Sequence, residues 1–330
     1  MLFEIFSSVH AWPLVIISGR LPHIKHLLLA WNELSFLHFI SVHVFNVPSL
    51  WIGGASMQQY EMTYFWTAVA CYGIASLGYI FGLLARKEAL YNCSLSFVVV
   101  GLCGNAVAIA VRWFFGVVPP FISIAESLAS GVLIAVLIFL ITQFSIRNLE
   151  AAGVLVMPVC FILLGWSGTM MKGAGALPPA LQSSWLWTHI FAAATGFSCV
   201  LLAAALGLLY LINEKKKGGL YDTLPSLQVL DELSYRFVSG GFVFLGLMII
   251  SGALWSNQVK GSYWNWDPVE VWSLINWLVY GIYLHLRITM GWRNRRLALY
   301  ALIAVAVMIL SYWGIPFMSE NFHSGFRIEH

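Results

Sequence analysis

Charge is what this sequence has least of. Asp, Glu, Lys and Arg together make up 9% of its 330 residues, against roughly 25% in a soluble domain. With 60% of residues hydrophobic, too little polar side chain remains to clothe a water-soluble fold, so the chain belongs in a bilayer. A net charge of +3 without a basic block gives no footing for nucleic acid. Cysteine is also sparse. The 5 cysteines, Cys71, Cys93, Cys103, Cys160 and Cys199, lie in or beside apolar runs, and no pair forms C-x-x-C. That excludes a C-x-x-C thiol oxidoreductase and a chain that binds its own c-type haem through C-x-x-C-H. No secretory cleavage site, long low-complexity tract or clear internal repeat is visible.

What the chain has instead is long apolar runs and aromatic rings. A spanning helix needs about 20 mostly apolar residues. Runs over 63–85, 94–115, 122–144, 148–168, 190–213, 237–256, 269–289 and 297–316 meet that need. The expected fold is therefore an all-α polytopic membrane protein of about eight transmembrane helices, nine if 27–53 also crosses. That segment carries His38, His43, Asn46 and Pro48, so an interfacial position is the alternative. We divide the chain into an N-terminal segment, 1–60, and a membrane domain, 61–330. The stretch "LPSLQVLDELSYRF", in the polar joint 214–236, reads as a short amphipathic helix.

The basic residues give an orientation. Arg86, Lys87, Arg147, Lys215, Lys216, Lys217, Arg236, Arg287, Arg293, Arg295 and Arg296 fall on alternate joints, which are assigned to the inside. Arg20 and Lys25 favour an inside N-terminus, which requires 27–53 to cross. The opposite joints carry only Arg112, Lys172, Lys260 and Arg327. Three features then lie outside: the end of the segment before 190–213, the joint between 237–256 and 269–289, and the C-terminal tail.

That outer joint holds "GSYWNWDPVEVW", residues 261–272. Its aromatic density has two readings. Trp and Tyr gather at membrane interfaces generally, and "WDPVE" is a helix start, with Asp267 as N-cap, Pro268 at N1 and Glu270 at N3. The same rings can instead form a platform for a flat ligand, held rigid by that cap. Two histidines flank the joint in sequence, His189 in "LQSSWLWTHIF" and His323 in "MSENFHSGF". Imidazoles on two sides of an aromatic platform suit a haem iron with its ring covered by Trp and Tyr. Zinc fits less well, because no thiol or carboxylate cluster accompanies them. His285 lies about 27 Å along a helix from Asp267, near the inner end of its run. It is either a ligand or an end-of-helix histidine that reaches the interface. Glu126 would be a buried carboxylate, with Arg112 as its possible partner.

The stretch "SGALWSNQVKGSYWNWDPVEVWSLINWLVYGIYLHLR", residues 251–287, resembles the haem-handling CcsA (ResC) family of System II cytochrome c biogenesis. "LPPALQSSWLWTHIF", "LPSLQVLDELSYR" and "FHSG" resemble other segments of that family, and the likeness runs from about residue 60 to 326. The resemblance implies export of haem b (iron protoporphyrin IX) and its presentation at an external tryptophan-rich (WWD) loop, about 252–272. There it would be attached to the CXXCH of apocytochrome c. In that family's terms His189 and His323 would be the external axial ligands and His285 a transmembrane ligand. Trp255, Tyr263, Trp264, Trp266 and Trp272 would cover the haem, with Trp264, Trp266 and Asp267 serving the attachment step itself. The implied partners are a separate CcsB (ResB) chain, apocytochrome c, thiol-reducing proteins and membrane lipid. CcsB would contribute the second transmembrane ligand, with His38 or His43 as the alternative. The implied location is a bacterial inner membrane or a thylakoid. The competing readings are a System I haem handler of the CcmC or CcmF type and a bis-histidine electron-transfer cytochrome.

Overall fold

The computed structural model describes residues 54–114, 123–146, 148–171, 183–215 and 224–311. Among these there is no strand, and the chain is an all-α polytopic membrane protein. Its helices are α1 (Gly54–Ala85), α2 (Glu88–Phe114), α3 (Ile124–Ser145), α4 (Gly153–Met170), α5 (Ser184–Lys215), α6 (Leu227–Lys260), α7 (Pro268–Ile288) and α8 (Arg295–Ile309). A 3-10 turn, Glu150–Ala152, leads into α4. The described part of each of the eight apolar runs falls on one helix; the segment 27–53 lies outside the described residues. Helices α1 to α6 are long and apolar enough to cross a membrane. Helix α7 carries Glu270, His285 and Arg287 within its 21 residues, and α8 is 15 residues long.

Consecutive helices run antiparallel, so the bundle has two ends. One, the loop end, gathers the C-termini of α2, α4 and α6 with the N-termini of α3, α5 and α7. Helix α5 is the centre of the bundle and packs on α3, α4, α6 and α8. Its stretch Leu201–Leu206 is buried all round. Lipid is as apolar as Leu, so close backbone approach, rather than hydrophobic burial, has to hold such helices together. The contact of α5 with α6 meets this need at Gly241, where a methyl group would sit 2.5 Å from Val200 Cγ1.

Among the described residues, the ion pairs between helices lie at the two ends. At the loop end, Arg112 of α2 donates to Glu126 of α3 (Nε, 2.9 Å) and to Glu61 of α1 (2.9 Å). Glu126 also closes a capping box with Ser123 at the start of α3. The expected Glu126 partner is thus Arg112, joined by a Glu61 that lay outside the run read from the sequence. At the other end, buried Arg287 of α7 pairs with Asp231 (2.5 Å) and Glu232 (3.1 Å) of α6 and lies over the Tyr235 ring at 4.8 Å.

Those α6 acids correct one expectation. The stretch from Leu227 onward is not a separate amphipathic helix. Capped by Ser226, it is continuous with the span and forms a 34-residue helix. Asp231 and Glu232, which gave the stretch its amphipathic look, are the partners of Arg287.

Candidate functional site

The joint between α6 and α7 is shorter than the tryptophan motif it belongs to. Trp255 lies on α6 and Trp272 on α7, leaving residues 261–267 as the non-helical link. Gly261 closes α6 in the left-handed region, φ 73°, its N–H returning to the Asn257 carbonyl at 2.9 Å. Asp267 then opens α7: its carboxylate accepts from Val269 N at 2.9 Å, and Pro268 follows at the first helical position. Glu270 folds back to accept from Asp267 N (3.3 Å) and from Asn265 N (2.7 Å). The Asn265 amide donates to Ser256 Oγ on α6 at 3.1 Å. The link is therefore pinned to both helices, with its cap as the sequence predicts.

Beneath it lies a cavity of about 280 Å³ between α3, α4, α5, α6, α7 and the end of α8, near the lower edge of the roughly 300–1,000 Å³ usual for small-molecule sites. Its lining on α6 runs from Leu245 to Lys260, about 22 Å of helix. The wall is mostly apolar. Trp255, Trp264, Trp272 and Tyr263 stand toward its mouth, Trp166 joins them from α4, and Lys260 and Glu270 bring charge there.

His189 stands in this wall, half-buried near the start of α5. Its Nδ1 lies 2.8 Å from the Met248 carbonyl of α6. A carbonyl only accepts, so Nδ1 carries the proton. In the neutral ring Nε2 is then the unprotonated nitrogen, the one with a lone pair for a metal. Room for the ring comes from Gly252, one turn on from Met248. A methyl group there would fall 2.7 Å from Nδ1 and 2.9 Å from Cε1.

The other sequence-predicted residues divide. Trp255, buried at 6% exposure, joins Tyr263, Trp264, Trp272 and His189 around the cavity. Trp266 does not line it. It has φ 56°, is 74% exposed and sets its ring edge-on to Trp264 at 6.0 Å. Asp267 acts on the helix start. His285 is exposed at the far end of α7, two residues from buried Arg287 and so about 200° round the helix from it. His323 lies outside the described residues. No group of three or more His, Cys, Asp or Glu suited to a metal occurs among the described residues.

Sequence reasoning missed Met248 and Gly252, which are read only across the packed α5–α6 pair. It also missed Asn276, a cavity-wall amide whose signal was present: a polar side chain in the apolar run "LINWLVY".

The matched family model is that of the cytochrome C assembly protein, and it covers residues 106–323, from mid-α2 to His323. The chain belongs to the cytochrome c assembly protein family. It is 41% identical over 157 residues to the cytochrome c biogenesis protein CcsA of Chlamydomonas reinhardtii, covering 47% of this chain and 44% of that one. It is 38% identical over 174 residues to CcsA of Guillardia theta, covering 47% and 58%. To CcsA of Synechococcus sp. (strain CC9605) it is 36% identical over 180 residues, covering 47% and 59%. The chain spans about half the length of the curated relatives it matches. Its fold is similar to that of the cytochrome c heme lyase CcmF, with a TM-score of 0.60 at 17% identity, over 86% of this chain and 54% of that one.

Proposed function

We propose that the chain binds haem b as a substrate in the cavity beneath the tryptophan link and presents it there for covalent attachment to apocytochrome c. The observation that carries this reading is the His189 imidazole, fixed by the Met248 carbonyl in the wall of an apolar, aromatic-rimmed cavity. A nitrogen donor and broad aromatic faces fit an iron porphyrin, whose affinity comes from an axial ligand and a dry, flat enclosure. The fold likeness to a heme lyase and the CcsA relatives support the same reading.

In this account His189 holds the iron from one face, and His323 of the C-terminal tail supplies the other axial imidazole. Trp255, Trp264 and Trp272 cover the ring and exclude water, with Tyr263 at the rim. Trp266, turned outward, meets the incoming peptide, and Asp267 keeps the link in place for it. At each vinyl group a cysteine S–H adds across the C=C bond: sulfur bonds one carbon and the hydrogen goes to the other, with no net change in electrons. Holding the vinyl edge against the peptide thiols draws on the roughly 7–11 kcal/mol available from positioning. The histidine of the CXXCH then displaces one axial imidazole, which releases the product.

His285 serves a second, transmembrane site. Its outward setting supports a ligand shared with a second chain, for which a CcsB (ResB) subunit is the partner. The loop end faces the outer side of a bacterial cytoplasmic membrane, or the equivalent side of a thylakoid. Thiol-reducing proteins prepare the apocytochrome.

Co-expression with a CcsB-type partner and a CXXCH reporter, in cells lacking their own attachment pathway, tests the proposal. Haem should remain on the reporter in a denaturing gel with the wild type and be lost with His189→Ala. Equal covalent haem with both chains would contradict it.

A further inference from the structure

The end of the bundle away from the tryptophan link carries a basic surface, built on the turn between α7 and α8. Gly291, with φ 66°, closes α7, and the Trp292 N–H returns to the Leu286 carbonyl at 2.9 Å. Two residues on, the Asn294 N–H donates to Asp231 of α6 at 2.9 Å. The turn is thus fixed at both ends, and it presents Arg293, Arg295 and Arg296, all exposed. Little negative charge answers them. From residue 271 to 319 the chain has no Asp or Glu. Asp231 is taken by Arg287, and Glu232 by Arg287 and Arg236. Glu214 of α5 comes no nearer to Arg295 than 3.9 Å. Arg296 lies over the Trp292 ring, 5.5 Å from its centre, a pairing that orients the guanidinium and leaves its charge unneutralised.

Beside this turn α8 is apolar on its outward side. It packs on α5 and α7, so close to α5 that a methyl group on Gly207 would meet the Ala298 carbonyl oxygen at 3.0 Å. That packing buries Leu297, Ala301, Ala304 and Met308 and turns the opposite face out. Leu299 (42% exposed), Ile303 (65%) and Leu310 (69%) follow Arg296 on that face, with exposed Ala306 between the last two. At about 100° per residue, Arg296 and these four lie within an arc of roughly 80°. From Arg296 to Ala306 is about 15 Å along the helix, half of the roughly 30 Å hydrocarbon core and so the depth of one leaflet.

We propose that this turn and the outward stripe of α8 hold one anionic phospholipid from the leaflet at that end. Its phosphate meets Arg293 and Arg296, Trp292 lies at the level of the headgroup, and an acyl chain follows Leu299, Ile303 and Ala306. Charge and apolar surface each select. Guanidinium groups with no near carboxylate attract a phosphate, and a lipid of net negative charge more than a zwitterionic one, whose own ammonium competes for it. Charge alone would take any anion; the stripe beginning one turn from Arg296 favours an anion that carries a hydrocarbon chain. The fixed turn and the Trp292 contact hold the arginines in place, so less side-chain freedom is lost when the lipid binds.

The test is native mass spectrometry of the purified full-length chain, equilibrated in detergent with equal amounts of phosphatidylglycerol and phosphatidylcholine of the same acyl chains. The wild type should retain one phosphatidylglycerol in preference to phosphatidylcholine. R296Q should lower that preference about fivefold, and R293Q/R296Q about 25-fold, at about fivefold for each arginine near a membrane surface. R86Q/K87Q removes the same charge from the turn between α1 and α2 and should leave the preference intact. Glycerol phosphate, a headgroup without chains, should not displace the retained lipid at equal concentration. A preference unchanged in R293Q/R296Q, or lowered as much in R86Q/K87Q, overturns the assignment. So does displacement by glycerol phosphate, which would leave the stripe no part. Loss of the lipid on co-purification with a CcsB-type partner would give the face to that subunit and overturns it as well.

Discussion

At the scale of the residue, the site depends on a side chain that is missing. His189 reaches the Met248 carbonyl because Gly252 presents no Cβ in the path of the ring. The histidine stood out in the sequence as a candidate ligand from its type and its place beside an aromatic segment. Its orienting partners were not, because they lie 59 and 63 positions away and meet it only when α5 and α6 pack. Gly252→Ala is expected to push the ring off its carbonyl. Overpacking of this kind costs typically 1–3 kcal/mol, so the bundle should persist. We expect haem retention by the purified protein to fall at least about tenfold, with an altered low-spin spectrum, since the imidazole would lose the bond that orients it. Retention at the wild-type level would show that the ring's setting does not matter.

At the scale of the element, α7 shows what sequence pattern reads well and what it misses. Its start was legible in "WDPVE", because an N-cap, a proline at N1 and a glutamate at N3 act on neighbouring backbone groups. Asp267→Ala should cost α7 about 1 kcal/mol. Hydrogen exchange at the Val269 and Glu270 amides should become roughly fivefold faster, with the exchange of α5 unchanged; unaltered exchange at the α7 start would deny the cap its role. The rotational setting of α7 was not legible. It comes from Arg287 on Asp231 and Glu232, and from Trp277, which donates to the Phe242 carbonyl at 3.1 Å and stacks on the Phe242 ring at 4.7 Å. Those contacts turn His285 outward. The same acids made 224–237 look like a separate amphipathic helix, because a partner 55 residues away is invisible to local periodicity.

At the scale of the whole molecule, apolar run length was enough to place the eight helices of the described residues, since each segment must satisfy its backbone hydrogen bonds internally in lipid. Where those helices part was not readable. The cavity exists because α3, α4, α5, α6, α7 and α8 leave space at the loop end, a property of six helices together. What we propose for that space is haem, with His189 on its iron. The most direct test is the visible spectrum of the purified chain with its partner, recorded for the wild type, His189→Ala and the His189→Ala, His323→Ala pair. The account predicts a bis-histidine low-spin haem in the wild type. It predicts a changed ligation state in the single variant, and loss of the cavity's share of the haem in the double. Wild-type haem content and spectrum in the double variant would contradict it.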